Sequence, residues 1–277
     1  MAPPPRKSCN LPSHANEPSS ALPASSKPSG LRYNCPMKPI AHIHTDLPQK
    51  FGIPRNSFLA PHLQGSIVFK PEFALDSAVE GLEGFTYLWL LWEFENGTPG
   101  GTASDIESDT RAESKQGANA KWRPTVRPPR LGGAKRVGVF ATRSPFRPNG
   151  LGLSAVELER VALDEPEGPV LYVRGADMVS GTPIVDIKPY LAYADSYPDA
   201  AGGFTGGDAG AVLTVDFPPE LLAQFDSGQR HGLLSALAAD PRPRYQDDPD
   251  RVYGMAYAGK NVRFTVQDGT VRVVGVE

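Results

Sequence analysis

Phe85-Thr86-Tyr87-Leu88-Trp89-Leu90-Leu91-Trp92-Glu93-Phe94 is aromatic and apolar enough for a central β-strand. It is far too short to cross a bilayer, and no run of about 18 apolar residues occurs elsewhere in the chain. Short strand-like pieces flank it. Upstream are Ile40 to His44 and Gly65 to Phe69; downstream are Arg136 to Ala141, Leu153 to Val161, Val170 to Ala176 and Ile184 to Ile187. Turn clusters at Arg147-Pro148-Asn149-Gly150 and Ser180-Gly181-Thr182-Pro183 separate them. Many short strands with few helices favour a barrel or sandwich over a doubly wound sheet.

Composition shifts mark the limits of this β-rich region. Residues 1–37 are rich in Pro, Ser and Ala without hydrophobic period, and read as a disordered tail. Residues 97–121 are Gly-, Ser- and Asp-rich and read as a long mobile insertion. Another Gly-rich linker runs from Ser196 to Gly210. Beyond it, Pro218 to Ala239 has helical spacing interrupted at Ser227-Gly228, then three strands are expected at Tyr253 to Tyr257, Asn261 to Val266 and Thr270 to Val276. Ala258-Gly259-Lys260 and Gln267-Asp268-Gly269 would make the hairpin turns. The expected organisation is therefore a tail, a main β domain over 38–200 and a small α+β appendage over 211–277.

Only Cys9 and Cys35 occur, which is no disulfide framework and no zinc spacing. A reducing cytoplasm is the default expectation. His42 and His44 share a strand face, with His62 on a following loop, but no carboxylate stands at ligand spacing, so no metal is expected. Gly150-Leu151-Gly152 lacks the third glycine of a dinucleotide fingerprint, and there is no phosphate-loop lysine motif. Ser144 and Ser154 have no nucleophile-elbow context.

Charge is distributed unevenly. From Ser114 to Val156 the chain runs 43 residues without Asp or Glu but carries nine Lys or Arg, in a molecule of formal net charge −3. A polyanion or phosphate-bearing ligand suits such an island. Arg143 and Arg147 flank a Pro-bounded turn, where guanidinium forks can take a phosphate or carboxylate in bidentate fashion or pair with acids of the fold. Trp122, beside Arg123, has two roles open to it: stacking on a base or pinning the loop to the body. Asp186 and Lys188 share a strand face and either serve a site or form a simple ion pair.

Taken together, Phe51-Gly52-Ile53-Pro54-Arg55-Asn56, Gly81-Leu82-Glu83-Gly84-Phe85, Trp122 to Gly133, Gly138 to Asn149 and Gly181 to Tyr190 resemble the TsaA-like proteins. The resemblance covers residues 38 to about 200, and Asp240-Pro241-Arg242-Pro243-Arg244-Tyr245 resembles the C-terminal domain of bacterial members. It implies a single-sheet β-barrel methyltransferase, commonly a homodimer. Such an enzyme transfers a methyl group from S-adenosyl-L-methionine to N6 of threonylcarbamoyladenosine (t6A) at tRNA position 37, without a metal. It further implies cofactor contacts from Pro54, Arg55, Asn56, Glu95, Asn96, Arg143, Leu153, Gly175, Ala176, Asp177 and Met178, with Arg143 facing the methionyl carboxylate. Asp186, Lys188 and Tyr190 are the candidates for orienting the base or accepting its proton. Trp122, Arg123, Arg127 and Arg130, with Arg147 and Arg242, are the expected tRNA contacts. Two positions depart from the family pattern: Glu95 where His is common, and Gly150-Leu151 where Pro-Ile is common. The alternative function is a non-catalytic RNA- or ligand-binding barrel on the same scaffold.

Overall fold

In the computed structural model the described residues are 37–94, 123–128, 131, 135–206, 212–242 and 248–277. The tail expected over 1–37 (Met37 apart), Glu95, Asn96, the insertion expected over 97–121, Trp122 and Arg130 lie outside them. The strands in chain order are β1 (Ala41–Thr45), β2 (Gln64–Phe69), β3 (Tyr87–Glu93), β4 (Thr125–Val126), β5 (Val137–Gly138) and β6 (Leu151–Ala162). They continue with β7 (Val170–Arg174), β8 (Pro183–Pro189), β9 (Thr214–Asp216), β10 (Tyr253–Tyr257), β11 (Lys260–Gln267) and β12 (Thr270–Val276).

Six strands close into an antiparallel barrel in the order β1-β2-β7-β6-β3-β8, as the mainly β reading expects. The aromatic stretch does form a central strand: β3 pairs with β6 on one side and β8 on the other. Period-2 alternation sorts its side chains. Leu88, Leu90 and Trp92 point inward, and Leu88 and Leu90 are fully buried. Ile43, Ile67, Val156, Leu171, Val173 and Ile184 complete the filling. Each such side chain contributes about 1.5–3 kcal/mol on leaving water. Strand β6 pairs with β3 over its first half and with β7 over its second, and its register against β7 shifts between Leu158 and Arg160. A bulge of this kind bends one strand around a barrel corner.

One expected strand is mostly something else. Of Arg136 to Ala141, only Val137 and Gly138 pair, with β4, and Val139–Ala141 is a 3-10 turn. Thr142 closes it, donating from its amide to Val139 O at 3.1 Å and from its hydroxyl to the same oxygen at 2.8 Å.

The C-terminal sheet runs β10-β11-β12-β9, with β9 parallel to β12. Strand β9, three residues long, has no counterpart in the sequence reading. Helical spacing over 218–239 resolves into Pro219–Leu222 and a longer helix, Ser227–Ala238. The break has a cause: Asp226 caps the longer helix, accepting from Gln229 N at 2.9 Å while Gln229 Oε1 accepts from Asp226 N at 3.2 Å. Leu233, Ala236 and Leu237 from this helix pack on Tyr257, Phe264 and Val273 of the sheet. Leu47, Ala60 and Leu63, from the connection between β1 and β2, belong to the same core. The appendage is thus packed on a barrel connection.

Candidate functional site

Antiparallel pairing sends three connections to one end of the barrel: β1 to β2, β3 to β6, and β7 to β8. Each described residue expected to touch a cofactor lies on one of them or at the start of β6. Pro54, Arg55 and Asn56 are on the first, Arg143 on the second, Gly175 to Met178 on the third, and Leu153 at the start of β6.

The first and third connections meet at Gly175. Its φ of +79° is a conformation L side chains rarely adopt, and a Cβ there would lie 3.4 Å from both Ser57 Cβ and Ser57 O. Gly175 and Ala176 both donate to Leu63 O, at 2.8 and 3.2 Å. Asn56 caps the following turn, its Oδ1 accepting from Leu59 N at 3.2 Å. Ala176 and Met178 are buried in the barrel core, so what they can offer a ligand is backbone.

Asp177 is the electrostatic centre of this end. Burial pushes its carboxyl up from 3.8 to about 6, although the Ser154 hydroxyl, backbone N–H groups including that of Ser57, and the Arg143 guanidinium all favour the ionised form. Its Oδ1 is buried, and among the described residues no hydrogen-bond donor meets it. Ser154 is itself held in place, accepting from Trp92 Nε1 at 3.1 Å. The Trp92 ring lies over Gly152, where a Cβ would come within 2.2 Å of it. An alternating strand with a polar residue on its inward face was the available signal for Ser154. Nothing local in the sequence marks Ser57, which reaches Asp177 only through the fold.

Arg143 projects exposed from a loop whose shape is set by Arg147. Arg147 Nε donates to Ser144 O at 3.0 Å and Nη2 to Thr142 O at 2.5 Å. The two arginines of the turn therefore do different work: one faces outward and the other closes the loop. The Pro/Arg loop is joined to this turn. Arg123 N donates to Phe146 O at 3.0 Å, the Arg123 guanidinium sits 4.7 Å from the Phe146 ring centre, and Arg136 Nε donates to Thr125 Oγ1 at 3.0 Å. Arg127 is exposed on that loop. Arg242 differs from these. Its side chain is only 13% exposed and its fork grips Asp240, Nε to Oδ1 at 2.9 Å and Nη2 to Oδ2 at 3.2 Å, so it shapes its own turn.

A second group lies on the outer wall of the barrel. Asp186 on β8 pairs across to Leu91 on β3, which pairs to Leu153 on β6, and Leu153 is 53% exposed. Lys188 Nζ stands 3.8 Å from Asp186 Oδ2. Tyr190 packs on Trp89 and Tyr87, with ring centres 5.4 and 6.2 Å apart. The structure thus gathers Asn56, Arg143 and Asp177 at the barrel end, and Leu153, Asp186, Lys188 and Tyr190 beside it on the wall. Among the described residues no group of three or more His, Cys, Asp or Glu is placed to hold a metal ion. No helix among them is long and apolar enough to cross a membrane.

Residues 42–196 match the family described as the tRNA-methyltransferase O N-terminal domain, and residues 210–277 match the TrmO C-terminal domain. The chain belongs to the tRNA-methyltransferase O family. It is 36% identical over 246 residues to the Escherichia coli protein named tRNA (adenine(37)-N6)-methyltransferase, a match covering 86% of this chain and 96% of that one. A Pseudomonas aeruginosa relative, named a putative S-adenosylmethionine-dependent methyltransferase, is 37% identical over 227 residues, covering 79% and 87% of the two chains. The crystal structure of TrmO from Pseudomonas aeruginosa superposes with a TM-score of 0.63 at 29% identity, covering 87% of this chain and 98% of that one.

Proposed function

We propose that this protein is an S-adenosyl-L-methionine-dependent tRNA methyltransferase that modifies N6 of the adenine at position 37, and that its substrate adenine already carries the threonylcarbamoyl group. The observation that carries the site is the buried Oδ1 of Asp177, which no donor among the described residues meets, beside the exposed Arg143. An acid lacking a donor and an arginine fork fit the ammonium and carboxylate of an amino-acid moiety. S-adenosyl-L-methionine has such a moiety and supplies an electrophilic methyl group on sulfonium.

Arg143 would hold the methionyl carboxylate and Asp177 a donor of the cofactor, while the Pro54 to Asn56 loop and the Gly175 to Met178 backbone form the walls. Asp186, Lys188 and Tyr190 orient the base and take up the proton released from N6. The chain contributes positioning, since N6 attacks the methyl carbon directly and no covalent enzyme intermediate is needed. Arg123 and Arg127 grip tRNA phosphates; Arg147 and Arg242 hold loop shape.

The test is methyl transfer from labelled S-adenosyl-L-methionine to tRNA lacking the final methyl group, prepared with and without the threonylcarbamoyl group. Label is expected in the carbamoylated tRNA alone. Equal labelling of both would remove the t6A assignment, and no cofactor binding by calorimetry would remove the enzyme itself.

A further inference from the structure

The connection 46–63 has two jobs in the fold. Its middle carries Pro54, Arg55 and Asn56, and the stretches on either side, through Leu47, Phe51 and Ile53 before it and Ala60 and Leu63 after it, are built into the core of the C-terminal module. Phe51 stacks on Tyr253 of β10 with ring centres 6.4 Å apart and planes 10° apart, and on Phe264 of β11 at 6.5 Å and 21°. Gly52, at φ +100°, lets the chain press onto Met255: a Cβ there would come within 2.4 Å of its sulfur. Ile53 packs on the same cluster. The next residues are the cofactor loop, and the turn Asp240 to Arg242 lines a small cleft against Gly52, Ile53, Pro54 and Arg55.

The other wall is tied to the same module. Thr45 donates from its hydroxyl to Met178 O at 3.2 Å and from its amide to Ser180 Oγ at 3.2 Å, and Ser180 N donates to Leu47 O at 2.9 Å. Leu47 is fully buried in the C-terminal core. Asp46, between Thr45 and Leu47, accepts from Ala258 N at 2.9 Å through its carbonyl and from Gln229 Nε2 at 3.5 Å through its carboxylate. Tyr257 completes the tie, donating to Gln229 O at 3.0 Å.

We propose that the C-terminal module is the support that sets both walls of the cofactor site, and that Phe51 is the positioning residue through which it fixes the Pro54 to Asn56 loop. This rests on the cofactor site proposed above. A loop held by a ring laid against two neighbouring rings, themselves 5.6 Å apart, keeps its main chain in register. Without that ring the loop samples positions an ångström or more away, which a site relying on positioning does not tolerate.

Three substitutions of the full chain test it: Phe51→Ala, Phe51→Leu and Phe51→Tyr, with Asp177→Asn as reference. Calorimetry with S-adenosyl-L-methionine, anisotropy with labelled tRNA and steady-state methyl transfer are the readouts. Phe51→Ala should raise the cofactor Kd and KM by about tenfold, with tRNA affinity within about twofold of the parent, whereas Phe51→Tyr retains the stack and the parental Kd. A folded Phe51→Ala protein with the parental cofactor Kd, or one whose cofactor and tRNA affinities fall together with its folded fraction, overturns the proposal. Should Phe51→Ala fail to fold, Phe51→Leu decides. A cofactor Kd about threefold weaker or more supports the proposal, and an unchanged Kd overturns it. If Asp177→Asn weakens cofactor binding and the Phe51 variants do not, the site stands and its support lies elsewhere. If no variant, Asp177→Asn included, affects binding, the proposed site itself is misplaced.

Discussion

Asp177→Asn should make the cofactor-free protein more stable at neutral pH while weakening its hold on the cofactor. The sign follows from the direction of the shift. Burial raises the folded-state value from 3.8 to about 6, so the folded chain binds the proton more tightly than the unfolded chain. Ionising Asp177 therefore costs the fold stability, in full above pH 6 and progressively less as pH falls through about 6 towards 3.8. The rise from 3.8 to about 6 puts the cost at about 3 kcal/mol at pH 8, at about 1.4 kcal/mol for each tenfold in proton affinity, and roughly half of that remains at pH 5. The Asn side chain has nearly the same shape and no charge. It should recover about 1–3 kcal/mol at pH 8 and distinctly less at pH 5.

Urea denaturation followed by far-ultraviolet circular dichroism, at pH 5, 6, 7 and 8, measures this directly. In parallel, calorimetry should show cofactor affinity reduced roughly tenfold to hundredfold, the worth of one charge-assisted hydrogen bond. The parental affinity should itself rise from pH 5 to 7 as Asp177 ionises, and the Asn variant should lose that rise. A variant no more stable than the parent at pH 8, or a stability difference flat across the pH range, would refute the buried-acid reasoning.

Two further outcomes separate neighbouring residues. Arg143→Ala should lower cofactor affinity more than tenfold with no change in thermal midpoint, whereas Arg147→Ala, which removes two bonds to backbone carbonyls of about 1 kcal/mol each, should lower the midpoint as well. Identical phenotypes in calorimetry and melting would show that the loop acts as one unit. Gly152→Ala drives a methyl group into the Trp92 ring, and overpacking of this kind should cost about 1–3 kcal/mol in urea denaturation. A parental midpoint would mean that Trp92 can swing aside without loss.

Much of the barrel was legible because alternation is a local signal. Leu88, Leu90 and Trp92 against Tyr87, Trp89 and Leu91 can be sorted from ten residues of sequence. The exceptions are where local signal is thin or shared. Strand β9 is three residues long and exists because β12 offers it an edge. The segment Val139–Ala141 looks like a strand yet turns, because Thr142 bonds back onto Val139. Within the site, the sequence distinguishes residue types but not partners. Arg143, Arg147 and Arg242 are all arginines in Pro-bounded turns, yet one is exposed, one closes its loop and one grips Asp240. Ser57 and Ser154, which meet Asp177, precede it in the chain by 120 and 23 residues, and no periodicity encodes that.

The acid-free stretch around Arg143 acquires a physical reason from this arrangement. A carboxylate within the loop would sit closer to Arg143 than any ligand and would occupy its fork, as Asp240 does for Arg242 two positions away in sequence. From Ser114 to Val156 no such residue is present, so the acid that acts on Arg143 arrives from another strand connection, through Asp177. Burial raises the Asp177 carboxyl to about 6 and among the described residues no donor meets its Oδ1, so at neutral pH it acts on Arg143 as an ionised acid with one oxygen still to be matched. A buried carboxylate oxygen without a donor is costly, and a zwitterion placed between it and the exposed Arg143 would offset that cost. On that account an Asp or Glu introduced at Ser144 or Pro145 should weaken cofactor binding without touching the cofactor, by supplying Arg143 with a partner of its own.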